Sequence, residues 1–484
     1  MKLNLDKSKF AYIGICIVLE LMFFIAMRNS DAKLTLILGV IGIPCVLGLI
    51  NFMFLSLERA ILAIGFLIPM LPISGYVMIR LGLLHIQWVM HAGFYIISAI
   101  ALIKNGLLKS IKKENIVIKN KIIRSILVIL LIISSILAFD KLLSFKIILL
   151  SFIPFGLYIL ILKSIEVRDK KKFLNDVLFA VCLGCIVSSI PDILYFFMTW
   201  MGGNKYIRIF GPIGSNFILI YDLIILPVLI AKWINEKAIK SVWTILVLSM
   251  CFIMSMQLSR GAWINFIAIF VIYLIFDVKN WKKYLPLLLV FGAILTYNVI
   301  DRPDVKSDSS LQEIQGVIVG HKVPDADLGE RGPNKLLRKL IESQSKSRQI
   351  IWESAIGMTK DHPYTGVGIG NFKYFFQEYS GSPREYSDAH SVIFNMSSEL
   401  GVPFTVLSII LTITIGIRAL INYFRCKSRR VKVNNIAIMC MITVFILYGN
   451  LTGISFQTTS EIYSFTPTFI ILFGLFYVDY VEEF

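Results

Sequence analysis

The chain has 484 residues, 57% of them apolar, with a formal net charge of +17 and a mean hydropathy of +0.76. A soluble fold has no interior large enough to hide that much apolar surface, so the bilayer is its solvent. Nucleic acid is excluded as a partner, because no aromatic-basic module accompanies the charge; basic loops beside anionic membrane lipids account for it.

Apolar runs of about 17–25 residues recur along the chain, each long enough to cross roughly 30 Å of hydrocarbon. Spanning backbone must then be helical, since a barrel would read as short alternating strands. The pattern predicts an all-α, polytopic transmembrane helix bundle of about fourteen spans, with twelve as the lower bound. They fall near 10–27, 34–55, 60–79, 86–103, 122–139, 143–162, 174–200, 216–232, 241–257, 261–276, 284–300, 391–417, 433–450 and 464–480. The first lacks a small-x-small site before Arg28 and reads as a span rather than a cleaved signal. Seven cysteines lie almost wholly within spans as small apolar fillers, and the Cys182/Cys185 pair reads the same way.

Short basic loops lie at 104–124, 163–173, 232–240, 277–283 and 418–432. With fourteen spans all five fall on one side together with both termini, and that side reads as cytoplasmic. The chain thus divides into spans over 1–300, an extracytoplasmic loop over 301–390, and further spans over 391–484. The first half of the loop, 301–346, is polar, carries Gly and Pro, and reads as irregular. Residues 347–360 alternate apolar and polar as an amphipathic helix lying at the outer interface. Arg348 and Trp352, four apart, share one face of it. A glycine-rich turn follows from Asp361 to Phe372, then a second short helix over 372–379, then His390 where the chain returns to the membrane.

Three groups of residues carry chemistry. Positive charge is depleted at the outer face, yet Arg208, Arg260 and Arg348 all fall there. The planar guanidinium fork matches phosphate oxygens, so three at one depth suit a diphosphate at headgroup level. Singly, each is equally explained by snorkelling or by pairing with an acid. His390, at the mouth of such a cavity, suits removal of a proton from a sugar hydroxyl, or serves as a hydrogen-bonded structural residue. Glu20, Asp192, Asp222 and Glu399 interrupt apolar runs and need partners or a wet cavity. Neither an aspartate pair nor a histidine cluster suggests a metal, and no nucleotide-binding loop is present, so no cofactor is expected.

Arg348-x-x-x-Trp352, then His362-Pro363-x-x-Gly366-x-Gly368-x-Gly370-Asn371-Phe372, then Ala389-His390 and Glu399-Leu400-Gly401, form one pattern. Together with Ser259-Arg260-Gly261 and the Arg208…Gly211…Asn216 segment, it resembles the O-antigen ligase and polymerase superfamily. The resemblance runs from about 208 to 405. It implies a GT-C-like, metal-independent glycosyltransferase that takes a glycan from undecaprenyl diphosphate on the outer face and passes it to an acceptor hydroxyl. Under it, Arg260 and Arg348 bind the diphosphate with help from Arg208, and His390 orients or deprotonates the acceptor. Asn216, Trp352, Gly368, Gly370, Asn371 and Glu399 complete the substrate site. A flippase and a chain-length regulator are the implied protein partners, and membrane lipids surround the whole. Family members often carry Asn after the histidine, where this chain has Ser391.

The leading expectation is a polymerase joining lipid-linked repeat units into capsule, exopolysaccharide, O-antigen or a teichuronic-acid-like wall polymer. The Lys-, Ile- and Asn-rich composition hints at an AT-rich genome, and in a cell with one membrane the lipid A acceptor of a ligase is absent. A ligase moving a finished glycan to another acceptor is the alternative. A lipid-linked oligosaccharide flippase is the alternative of another class; it would keep its polar residues midway through the helices and its outer loops short.

Overall fold

A computed structural model describes residues 44–71, 87–111, 120–188, 215–235, 242–256, 260–300, 348–381, 386, 388–451 and 466–483. The first expected span, 10–27, the start of the second up to residue 43, and the insert 301–346 lie outside them.

The helices are α1 (Pro44–Met53), α2 (Leu57–Leu67), α3 (Gln87–Lys104), α4 (Lys121–Ile136) and α5 (Lys141–Ser164). They continue as α6 (Lys170–Ser188), α7 (Ser215–Asn235), α8 (Val242–Met256), α9 (Arg260–Phe276) and α10 (Trp281–Ile300). The outer segment holds α11 (348–361) and α12 (Phe372–Ser380), and the chain returns through α13 (Val392–Arg425), α14 (Arg429–Leu451) and α15 (Thr466–Glu483). No strand occurs among the described residues. Apart from α1, of which only the part from Pro44 is described, each of these helices starts within a few residues of where the apolar pattern predicts one.

Among the described residues α5, α13 and most of α14 are long and apolar enough to cross a membrane. Trp263–Phe276 and Val278–Leu289 add a pair bent by 106°. α14 is the hub, packed against α13, α7, α9 and α15, while α4 lies along α13. On its outer side α4 leaves Ile122, Ile126, Ile129, Ile133 and Ile136 exposed. That stripe would be an aggregation liability in water and is at home in lipid. This is a membrane protein.

Polar contacts gather the basic segments at one end of the bundle. Arg124 donates two hydrogen bonds to the Asp479 carboxylate, at 3.0 and 3.1 Å, and Lys163 pairs with the same carboxylate. Lys232 donates to Asn175 Oδ1 and Tyr480 Oη, and Asn235 to Asn434. Ile111 bridges to Ile165, Arg429 lies 3.6 Å from Asp277, and Tyr423 donates to the Phe276 carbonyl. All five basic loops read from the sequence are joined in this network.

Candidate functional site

The helices that leave the basic end arrive together at the opposite end. α4 ends at Ile136, α5 begins at Lys141 and α13 begins at Val392, and the outer segment 348–391 sits against them. α5 alone has 24 residues, roughly 36 Å of helix, so the two ends are about a bilayer core apart.

The glycine tract is held there by a broken helix. α13 loses helical geometry at Gly401, with φ 85 and ψ 167, and Pro403 follows. Proline has no N–H for the Glu399 carbonyl, and the turn at Gly401 takes the Val402 N–H away from the Ser398 carbonyl. The tract satisfies these orphaned groups. Val367 N–H donates to Ser398 O at 2.8 Å and Gly368 N–H to Glu399 O at 2.9 Å. In return Val402 N–H donates to Pro363 O at 2.8 Å. Ser134 Oγ on α4 also donates to Glu399 O.

The next residues bind the tract to α5. Asn371 Oδ1 accepts the Asp140 N–H at 2.7 Å and its Nδ2 donates to Ser144 Oγ, which donates to Ile369 O. Asp140 caps α5 by accepting the Leu143 N–H. Ile369 packs with Leu143, Ile147 and Leu400, while Val367, two residues earlier, packs with Ile351, Phe372 and Ala389. The tract thus pins α11 and α12 to the bundle.

A phosphate cradle would need free N–H groups in the tract, and the structure shows another use for them. The Gly366, Val367, Gly368 and Asn371 N–H groups donate to carbonyls. Those of Gly370 and Phe372 meet the carboxylate of Glu399, a buried residue. Gly368, Gly370, Asn371 and Glu399, expected to line the substrate site, are therefore engaged with one another and with α5. The partners that Glu399 finds here are backbone amides.

Two other expected residues come together. Arg348 opens α11, and Trp352, one turn on, donates from Nε1 to the Ala389 carbonyl at 3.1 Å. The Ala389 N–H donates to Asn395 Oδ1 at 2.6 Å, so both backbone groups of this buried residue are fixed. The next residue, His390, stands close enough to Arg348 for the guanidinium to act on its charge. Ser391 is the N-cap of α13 and accepts the Phe394 N–H. The ring of Tyr386 meets His390 edge-on at 5.9 Å.

His390 has φ 50, a left-handed conformation costing a non-glycine residue about 1 kcal/mol or more. Asp388 holds it there. Its Oδ1 accepts the His390 backbone N–H at 2.7 Å and lies 2.7 Å from Nδ1. The second contact has ion-pair distance without the alignment of a straight N–H···O bond, and Nδ1 is closed off from solvent. Burial pushes the imidazole pKa down, the Asp388 carboxylate raises it, Arg348 lowers it, and the balance is upward from the ordinary histidine value. Asp388 was missed from the sequence; its signal was an acid two residues before the singled-out histidine.

Arg208 lies outside the described residues. Arg260 opens α9 and Asn216 lies in the first turn of α7, with their side chains outside the description. His362 is exposed and lends its carbonyl to the Gly366 N–H.

No curated protein matches the chain. The sequence profile of the O-antigen ligase family matches residues 244–409, a stretch that contains Arg260, Arg348, the glycine tract, His390 and Glu399. Members of that family are ligases and polymerases, glycosyltransferase-like, that act on lipid-linked glycans. Over that stretch, and not over the rest of its 484 residues, the chain is similar to the O-antigen ligase family.

Proposed function

We propose that the chain is a polymerase that joins glycan repeat units carried on a polyprenyl diphosphate into a cell-surface polysaccharide. The observation that carries the reading is that Trp352, one turn after Arg348, bonds to Ala389 and so sets the start of α11 beside the His390 loop, at the end of the bundle opposite the basic network. Lysine and arginine collect on the cytoplasmic side of membrane proteins. The two residues then face outward, where a flipped lipid-linked glycan presents its diphosphate.

In this reading Arg348 and Arg260, with Arg208, hold the diphosphate and stabilise the charge that grows on it as it leaves. His390 takes the proton of the acceptor hydroxyl while the acceptor oxygen bonds to the anomeric carbon. The bond from that carbon to the diphosphate oxygen breaks, and its electron pair departs with the lipid diphosphate. Neither a nucleotide nor a metal is needed, because the donor is already activated and the guanidinium groups carry the leaving-group charge. Trp352, the glycine tract and Glu399 act by placing α11 and the His390 loop, and Asn216 stands near Arg208 in sequence on the donor side.

A ligase is the second reading, favoured by the name of the matching family. The same groups serve both reactions, since only the acceptor differs. Against transport, the polar groups of this site lie at helix ends rather than midway along the helices.

The test is a strain lacking the protein, complemented with wild type or His390→Ala at equal protein level, with surface and lipid-linked glycan resolved by length. A polymerase leaves single repeat units on the lipid in both defective strains, and only wild type restores long chains. Long chains stranded on the carrier indicate a ligase. Normal glycan from His390→Ala overturns the site.

A further inference from the structure

We infer that Asp388 is a positioning residue that fixes the His390 ring with Nε2 turned to the acceptor. The inference rests on the function proposed above and adds a residue that neither the motif nor the family match assigns.

Three observations support it. First, one carboxylate oxygen serves two groups of the same residue, lying 2.7 Å from both the His390 backbone nitrogen and Nδ1. One carboxylate oxygen thus holds the backbone N–H and faces the ring at ion-pair distance, so the left-handed φ of His390 is tied to the ring direction. Second, the loop around the pair is itself fixed. Trp352 and Asn395 hold the two backbone groups of Ala389, and Ser391 caps α13. Third, the exposures are unequal: the Asp388 side chain is 8% exposed and that of His390 36%. With Nδ1 enclosed against the acid, the nitrogen left for a substrate is Nε2.

Chemically, the acid decides which nitrogen holds a proton before reaction and stabilises the imidazolium that forms. During transfer the acceptor proton moves to Nε2 and the acceptor oxygen bonds to the anomeric carbon. The diphosphate leaves with the electron pair, and Asp388 takes up no proton. Among the described residues the charged groups around His390 are Asp388 in its own loop and Arg348 from α11; Glu399 of α13 lies within electrostatic reach of Asp388. Of these groups Asp388 is the one that acts to keep a proton on the ring, so its loss shifts the ring's titration to lower pH.

The experiment uses the full-length protein in lipid nanodiscs with a polyprenyl-diphosphate-linked repeat unit, measuring turnover from pH 5 to 9 for wild type, Asp388→Asn, Asp388→Glu and His390→Ala. The expected result is a drop of about 10–100-fold for Asp388→Asn, the acid limb of its profile moved to lower pH, and partial rescue by Asp388→Glu. Asp388→Asn with wild-type turnover and an unmoved acid limb overturns the inference. So does a loss that follows only the amount of folded protein, with the profile of the remainder unchanged. His390→Ala at wild-type turnover defeats the proposed function itself, whereas an inactive His390→Ala beside a normal Asp388→Asn defeats only this inference.

Discussion

Gly366 and Gly401 bring two stretches of main chain into direct contact. A Cβ on Gly366 would lie 2.3 Å from the carbonyl carbon of Glu399, and one on Gly401 would lie 2.4 Å from the carbonyl oxygen of Tyr364. Both have positive φ, 63 and 85. This contact lets the tract take up the groups that the break in α13 releases, and it sets α11 beside the His390 loop.

Alanine at either glycine meets immovable backbone as well as a left-handed φ. Gly366→Ala and Gly401→Ala are each expected to cost more than about 2 kcal/mol. Gly381 also has a positive φ, 61, but open space around it, so Gly381→Ala should cost about 1 kcal/mol. Thermal unfolding in detergent checks the order. Equal losses at all three positions would mean the tract does not clamp the break.

Asp479 neutralises Arg124 and Lys163 at the basic end, with side-chain exposures of 5%, 17% and 6%. Asp479→Ala removes the carboxylate that buried Lys163 and half-buried Arg124 share and is expected to destabilise by about 3–5 kcal/mol. The lesion is a bundle length from His390, so turnover per folded molecule should stay near wild type. Yield and specific activity measured together separate the two effects.

A base must be unprotonated to work, so activity falls as the pH drops through the His390 pKa. The Arg348 guanidinium pushes that pKa down. Arg348→Gln is expected to move the acid limb of the residual activity to higher pH, opposite in sign to Asp388→Asn. A pH–rate profile of the variant reads it directly, and a shift to lower pH would place Arg348 away from the imidazole.

Tyr364 is 77% exposed beside the glycine tract, and Lys279 lies in the loop at the basic end. A membrane-impermeant thiol reagent on intact cells should label Tyr364→Cys, and should reach Lys279→Cys only after the membrane is opened. The reverse pattern would turn the protein over and put the site on the wrong side for a flipped donor.

The sequence made the helices legible because the bilayer imposes length and uniform apolarity on each run. The amphipathic spacing of Ile351, Ala355 and Met358 likewise shows as α11, where all three are buried. The role of the glycine tract was harder to see, because it depends on a partner 35 residues downstream: Gly401 with Pro403 is a helix-break signal inside an apolar run. Read without that partner, the glycines suggest a ligand cradle; read with it, their N–H groups are already engaged. Asp388 looked like one more solvated acid in a polar stretch, and its burial against His390 appears only when Trp352 and Asn395 fix Ala389 between them. The 106° bend between α9 and α10 left no mark in the composition beyond the short basic loop at 277–283.

The most direct test of the central claim is a reconstituted reaction. Purified wild-type protein and His390→Ala are each supplied with one polyprenyl-diphosphate-linked repeat unit, and products are resolved by length with released lipid diphosphate counted. The account predicts a ladder of lengthening chains with one diphosphate released per bond for wild type, and unchanged donor for His390→Ala. The same ladder from His390→Ala would contradict it.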